Sequence, residues 1–101
     1  MRQLIRVATR DEIPDGTGKV VEAGGRKLAV FHSNGNFYAI DNACRHRGGP
    51  LGEGEVYGTT VVCPWHGWEY DFSTGCNVDD PAMRLACLSV RVEGDDIFIE
   101  L

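Results

Sequence analysis

Seven side chains in this sequence could hold a metal or run redox chemistry: four Cys and three His. Four of them fall into two short boxes. The first reads Cys44-Arg45-His46, the second Cys63-Pro64-Trp65-His66, and sixteen residues lie between His46 and Cys63. Each box offers one thiolate and one imidazole, a donor set suited to a transition metal of intermediate softness. Two readings of that set stand side by side. A single tetrahedral zinc accepts two Cys and two His, although zinc fingers usually place both Cys in one knuckle and both His on a helix. The other reading is a two-iron, two-sulfide centre in which both Cys bind one iron and both His bind the other. One Cys and one His per loop would let two loops clasp such a centre from opposite sides.

Around the boxes the chain reads as sheet. Glycine is 13 of 101 residues and proline 4. Short alternating apolar runs lie between turn residues, the pattern of an all-β sandwich or barrel. Leu4 to Ala8 reads as a first strand. Thr9-Arg10-Asp11-Glu12 has capping-box spacing but is soon closed by Pro14-Asp15-Gly16, so one helical turn is the most that fits. Asn34-Gly35 marks a hairpin between Leu28-Ala29-Val30-Phe31 and Phe37-Tyr38-Ala39-Ile40. Trp68, Tyr70 and Phe72 alternate with Glu69 and Asp71 as the inward face of a strand. Leu88, Val90 and Val92 alternate again before Gly94-Asp95-Asp96 and a last strand from Ile97. Eight to ten short strands are expected. Two stretches, residues 42–55 and 63–69, do not read as sheet, and they carry the boxes.

Composition excludes several classes. Lys plus Arg is 10 and Asp plus Glu 15, so the net charge is −5, a poor match to nucleic acid. The second half is the acidic one, with ten acidic and two basic residues after Pro50. The sequence has no apolar run of about 18 residues, hence no expected membrane span, and Met1 to Arg10 shows no signal-peptide pattern. A cytoplasmic location and one domain over residues 1–101 are expected.

The boxes Cys44-Arg45-His46-Arg47-Gly48 and Cys63-Pro64-Trp65-His66-Gly67-Trp68 resemble those of Rieske-type [2Fe–2S] proteins, and the resemblance extends over essentially the whole chain. It implies an antiparallel β-sandwich or barrel with a small cluster-binding subdomain made of two loops. It implies Cys44, His46, Cys63 and His66 as ligands of a Rieske [2Fe–2S] cluster, with His46 and His66 at the docking tip as the electron gate. Trp65, Trp68, Gly48, Gly67 and Tyr70 would form its surroundings. Pro81, in Asp80-Pro81-Ala82, sits where the family carries a loop covering the cluster.

The high-potential members of respiratory complexes carry an extra Cys in each box, joined as a disulfide. Gly49 and Trp65 stand there in this chain, and Trp68 replaces a serine donor to the cluster. With fewer donors the potential should lie toward the low end of the Rieske range of roughly −150 to +300 mV. The resemblance is therefore to soluble, low-potential ferredoxins, monomeric one-electron carriers between a flavoprotein reductase and a terminal, ring-hydroxylating oxygenase. Alternatives are an accessory subunit similar to that of NADH-dependent nitrite reductases and, more remotely, a structural zinc module. A catalytic oxygenase would also need a mononuclear iron held by two His and a carboxylate, and only His32 remains outside the boxes. His32 is expected to be an ordinary strand histidine. Cys76 and Cys87 are expected to be small buried apolar residues, and Trp65 and Trp68 to pack as walls.

Overall fold

The computed structural model describes residues 3–42, 50–65 and 67–100. Eleven strands are present among them: β1 (Leu4–Thr9), β2 (Thr17–Ala23), β3 (Arg26–Ser33), β4 (Asn36–Asp41), β5 (Glu55–Tyr57), β6 (Thr60–Val62), β7 (Glu69–Asp71), β8 (Cys76–Asn77), β9 (Cys87–Leu88), β10 (Val90–Glu93) and β11 (Asp96–Glu100). They form three antiparallel sheets, β1-β11-β10, β2-β3-β4-β9 and β5-β6-β7-β8. The all-β expectation holds. Eleven strands exceed the expected eight to ten because β5 and β8 are only three and two residues long, too short to show alternation in sequence.

The order of layers follows from β3. Leu28, Ala29, Val30 and Phe31 are all fully buried, although neighbouring residues on a strand point to opposite faces. Both faces of β2-β3-β4 are therefore covered, and an unbroken apolar run is what such a strand needs. On one face Leu28, Val30, Val21 and Ala39 pack with Ile13, Ile97 and Ile99 against the β1-β11-β10 sheet. On the other, Ala29, Phe31 and Ile40 pack with Leu51, Val61, Cys63, Tyr70, Phe72 and Leu85 against the β5-β8 sheet. The central sheet is thus shared between two cores, one of which underlies the second box.

Local turn chemistry sets the registers. Asn34 and Gly35 both take positive φ, 51° and 81°, as a two-residue hairpin turn requires. Thr9-Arg10-Asp11-Glu12 makes a single 3₁₀ turn over Arg10–Glu12, and the Thr9 amide donates to Glu12 Oε2 at 3.3 Å. His32 behaves as a strand histidine: its Nδ1 lies 2.8 Å from the Ile13 carbonyl and its ring stacks on Phe37 at 4.1 Å. The Asp96 carboxylate, at the start of β11, accepts from Arg6 Nε at 2.8 Å.

An aromatic stack docks the third sheet on the second. Phe72, just past β7, lies face to face with Phe31 at 4.5 Å and 11°, and Tyr38 tilts against it at 5.3 Å. Phe31 can lie flat because its cross-strand partner is Gly18, where a Cβ would come within 2.5 Å of the ring. Truncating Phe72 to Ala removes the ring that joins the layers. It should cost about 3–5 kcal/mol in a denaturant titration, whereas Phe72→Leu should cost clearly less; equal, small losses in both would show that the stack does not carry the docking.

Candidate metal centre

The second box is the loop of the β6–β7 hairpin. Cys63 follows β6 and Trp68 precedes β7, and the Cys63 amide donates to the Trp68 carbonyl at 2.7 Å. Inside that closure the Gly67 amide returns to the Cys63 carbonyl at 3.2 Å. Gly67 takes φ of 72° with open space where a Cβ would be, so its role is to turn the backbone. The loop between the closing pair is short, four residues in sequence.

Cys63 itself is 2% exposed. It sits in the core with Val61, Tyr70 and Leu51, so its thiol is held at a fixed place beneath the loop. Tyr70 is fully buried in the same cluster, and Trp68 packs half-buried against it. Trp65 differs from Trp68 in burial. It is 49% exposed and outside both cores, because it lies on the projecting turn where no strand covers it.

The first box lies in residues 43–49, and its Cys44, His46 and Gly48 fall outside the described residues, as does His66 of the second. The two ends of that segment are described, and one buried side chain joins them. Asn42, 7% exposed, accepts the Gly52 amide on Oδ1 at 2.9 Å, and its carbonyl accepts the Leu51 amide at 2.9 Å. Its own amide donates to the Lys27 carbonyl on β3. The segment therefore leaves and re-enters the fold at one point. Beyond it, the 3₁₀ turn Leu51–Glu53 packs on β2 and β3. A Cβ on Gly52 would meet Val20 at 2.7 Å, and one on Gly54 would collide with the Val62 carbonyl. Leu51 buries itself beside Cys63, which brings the roots of both loops onto one core.

Pro81 is exposed at the tip of a third loop. Asn77 Oδ1 accepts the Asp79 and Asp80 amides at 2.9 and 3.0 Å, Asp80 Oδ1 accepts the Ala82 amide, and the Val78 amide donates to the Glu69 carbonyl. These bonds hold the turn beside Trp68, and a cavity of about 300 Å³ lies between them, lined by Trp68, Asn77, Asp79, Asp80 and Met83. Sequence reasoning missed Asn42, Gly52, Gly54 and Asn77 as the supports of the loops. An Asn at the edge of a Gly-rich loop was the only signal.

Cys76 and Cys87 are not buried apolar residues. Cys76 is half-buried and Cys87 exposed, both as free thiols, because each opens a two-residue strand at a sheet edge.

The chain matches the family model of the Rieske [2Fe-2S] domain over residues 3–91 and belongs to that family. It is an all-β iron–sulfur protein whose cofactor is a Rieske-type [2Fe–2S] cluster. What the structure describes fits that group: a buried cysteine side chain fixed under a closed loop, and two loop roots meeting on one core. Among its relatives is the ferredoxin component of the naphthalene 1,2-dioxygenase system of Pseudomonas aeruginosa, 32% identical over 89% of this chain and 88% of that protein. The solved ferredoxin of carbazole 1,9a-dioxygenase from Nocardioides aromaticivorans superimposes with a TM-score of 0.89 over 96% of each chain at 26% identity. A putative NADH-dependent nitrite reductase small subunit from Mycobacterium tuberculosis shares the fold, with a TM-score of 0.91 at 20% identity. Other curated relatives extend far beyond the match, the chain spanning only 15% and 18% of their length. No helix among the described residues is long and apolar enough to cross a membrane.

Asn42→Ala strips the Gly52 amide of its buried acceptor and should destabilise the fold by about 1–3 kcal/mol. It should also speed cluster loss to a chelator, followed as bleaching of visible absorbance. Asn42→Asp, which keeps an acceptor, should bleach more slowly than the Ala variant; the reverse order would show that the clamp does not hold the loop.

Proposed function

We propose that the chain is a ferredoxin of a Rieske oxygenase system, a one-domain, monomeric, cytoplasmic carrier. It takes single electrons from a flavoprotein reductase and delivers them to a terminal, ring-hydroxylating oxygenase. The observation that carries this reading is the match, over 96% of both chains, to a ferredoxin that serves such an oxygenase. The acidic balance, with a net charge of −5, suits docking to partners that present basic surfaces.

Cys44 and Cys63 are the proposed ligands of one iron, His46 and His66 of the other. When bound, the cluster supplies a one-electron couple at the surface of the protein. The chain's share of the work is positional. Burial of Cys63 in the core, and its backbone closure with Trp68, fix one thiolate before the metal arrives. Asn42 does the same for the root of the loop that carries Cys44 and His46. Trp68 and Asp80 line a cavity beside the second box. Exposed Trp65 stands next to His66 in sequence, so the proposed electron gate has an aromatic neighbour at the docking tip.

Tyr70 is the proposed side-chain donor to the cluster sulfurs or their Cys ligands. Its complete burial beside Cys63 supports the assignment. Donors to sulfur stabilise the reduced, more negative state and raise the potential.

The test is to count iron and zinc in the purified protein, record the electron paramagnetic resonance of the dithionite-reduced state, and titrate its potential. Two irons per chain, the low average g-value of a His-ligated cluster and a potential near the bottom of the Rieske range are expected. A single zinc that persists after reconstitution with iron and sulfide would sink the reading. His66→Ala should lose the Rieske spectrum, and Tyr70→Phe should keep it but lower the potential. Loss of one hydrogen bond, about 0.5–1.5 kcal/mol, corresponds to roughly 20–60 mV in a one-electron couple. An unshifted potential would remove Tyr70 from the cluster's surroundings.

A further inference from the structure

Cys76 and Cys87 belong to different sheets and meet at Gly75. Cys76 opens β8, paired with Asp71 on one side and bridged to Arg84 on the other. Cys87 opens β9, opposite Ile40 on the central sheet. Between them the Leu85 amide donates to the Gly75 carbonyl at 2.8 Å. The approach there is so close that a Cβ on Gly75 would run into the Leu85 carbonyl and lie 2.9 Å from Cys87 Sγ. The residue after Gly75 is Cys76. The two thiols thus flank one glycine that has no room for a side chain, and both are free. Among the described residues no third Cys, His, Asp or Glu joins them in a geometry that would hold a metal.

From this geometry we infer that Cys76 and Cys87 are a dithiol pair that closes to a disulfide under oxidation. The bond would link the β5-β8 sheet to the central sheet and cinch the base of residues 76–87, the segment that carries the Asp80-Pro81-Ala82 turn. Its effect on the turn beside the cluster rests on the function proposed above; the bond itself does not. With a glutathione-type disulfide as oxidant, one Cys thiolate attacks a sulfur of the oxidant and expels one thiol. The second Cys thiolate then displaces the other. Two protein thiols are oxidised, and one small disulfide is reduced to two thiols.

The charges around Cys87 set the pace. Partial burial pushes its thiol up, the Arg84 guanidinium pulls it down, and Cys76 and Asp71 push it up again, leaving it raised. Arg26 and Glu100, of opposite sign, line the cavity onto which Cys87 opens. The thiol is therefore mostly protonated at neutral pH, and closure should be slow there and accelerate as pH rises toward the thiol's own range.

The experiment treats the cluster-loaded full-length protein with oxidised glutathione between about pH 7 and pH 9. Free thiols are then alkylated, and the peptides mapped by mass spectrometry without reduction. A Cys76–Cys87 linked peptide, about two mass units lighter than the two thiol peptides together, is expected, forming several-fold faster at the upper pH. Cys76→Ser should instead trap Cys87 as its mixed disulfide with glutathione. Separate alkylation of both residues in the treated native chain would overturn the inference. So would a persistent glutathione adduct on native Cys87, or linkage of either residue to Cys44 or Cys63. Visible absorbance of the same samples reports the cluster independently, so failure of the cluster reading and failure of the dithiol are told apart.

Discussion

Burial of β3 on both faces is the constraint on which the rest of this structure depends. Leu28, Ala29, Val30 and Phe31 leave no side of that strand for water, so the chain must supply a layer above it and a layer below. The N-terminal strand and the final hairpin supply one. The other comes from the middle of the chain, and it carries the chemistry. Phe31 sets where that layer lands. Its ring lies flat over Gly18 and stacks on Phe72, so the hairpin that ends at Phe72 is seated by aromatic contact before any metal is present.

From that seat the site follows. Tyr70, Phe72 and Val61 face inward, and the pleat that points them into the core also fixes the directions of Cys63 and Trp68 at the loop ends. Cys63 is buried as a core residue while lying in the second box, which makes the proposed ligand rigid. Asn42 solves the matching problem for the first box. A loop rich in glycine has a large conformational entropy to lose, and joining Asn42 to Gly52 through one buried amide side chain lowers that cost. Apolar packing thus sets the position of one loop and hydrogen bonding that of the other. The two meet where Leu51 touches the core beside Cys63.

Much of this was legible in the residues. Turn dipeptides such as Asn34-Gly35 announce themselves because only a few residues accept positive φ. Alternation in Trp68 to Phe72 located the inward face of β7. The paired boxes identified the family, because two Cys and two His at that spacing, with Gly67 after the second His, combine donor chemistry with loop chemistry. Less legible were strands of two and three residues, which have no period to read. The environments of Cys76 and Cys87 were also hidden. Cysteine is a small, mostly buried residue on average, and only its place at a sheet edge exposes it here.

The sequence by itself determined the paired Cys/His boxes, the all-β class and the family. These rest on residue type and short spacing, which are local properties. The tertiary structure decided which residues support the site. Asn42 and Gly52 are ten positions apart, Leu51 and Cys63 twelve, and Gly18 and Phe31 thirteen. The need for glycine at 18, 52 and 54 is set by a neighbour's ring or carbonyl arriving from another strand. No local pattern encodes such an approach. It exists only once the layers have packed, because close contact is a property of two surfaces and a sequence window contains one.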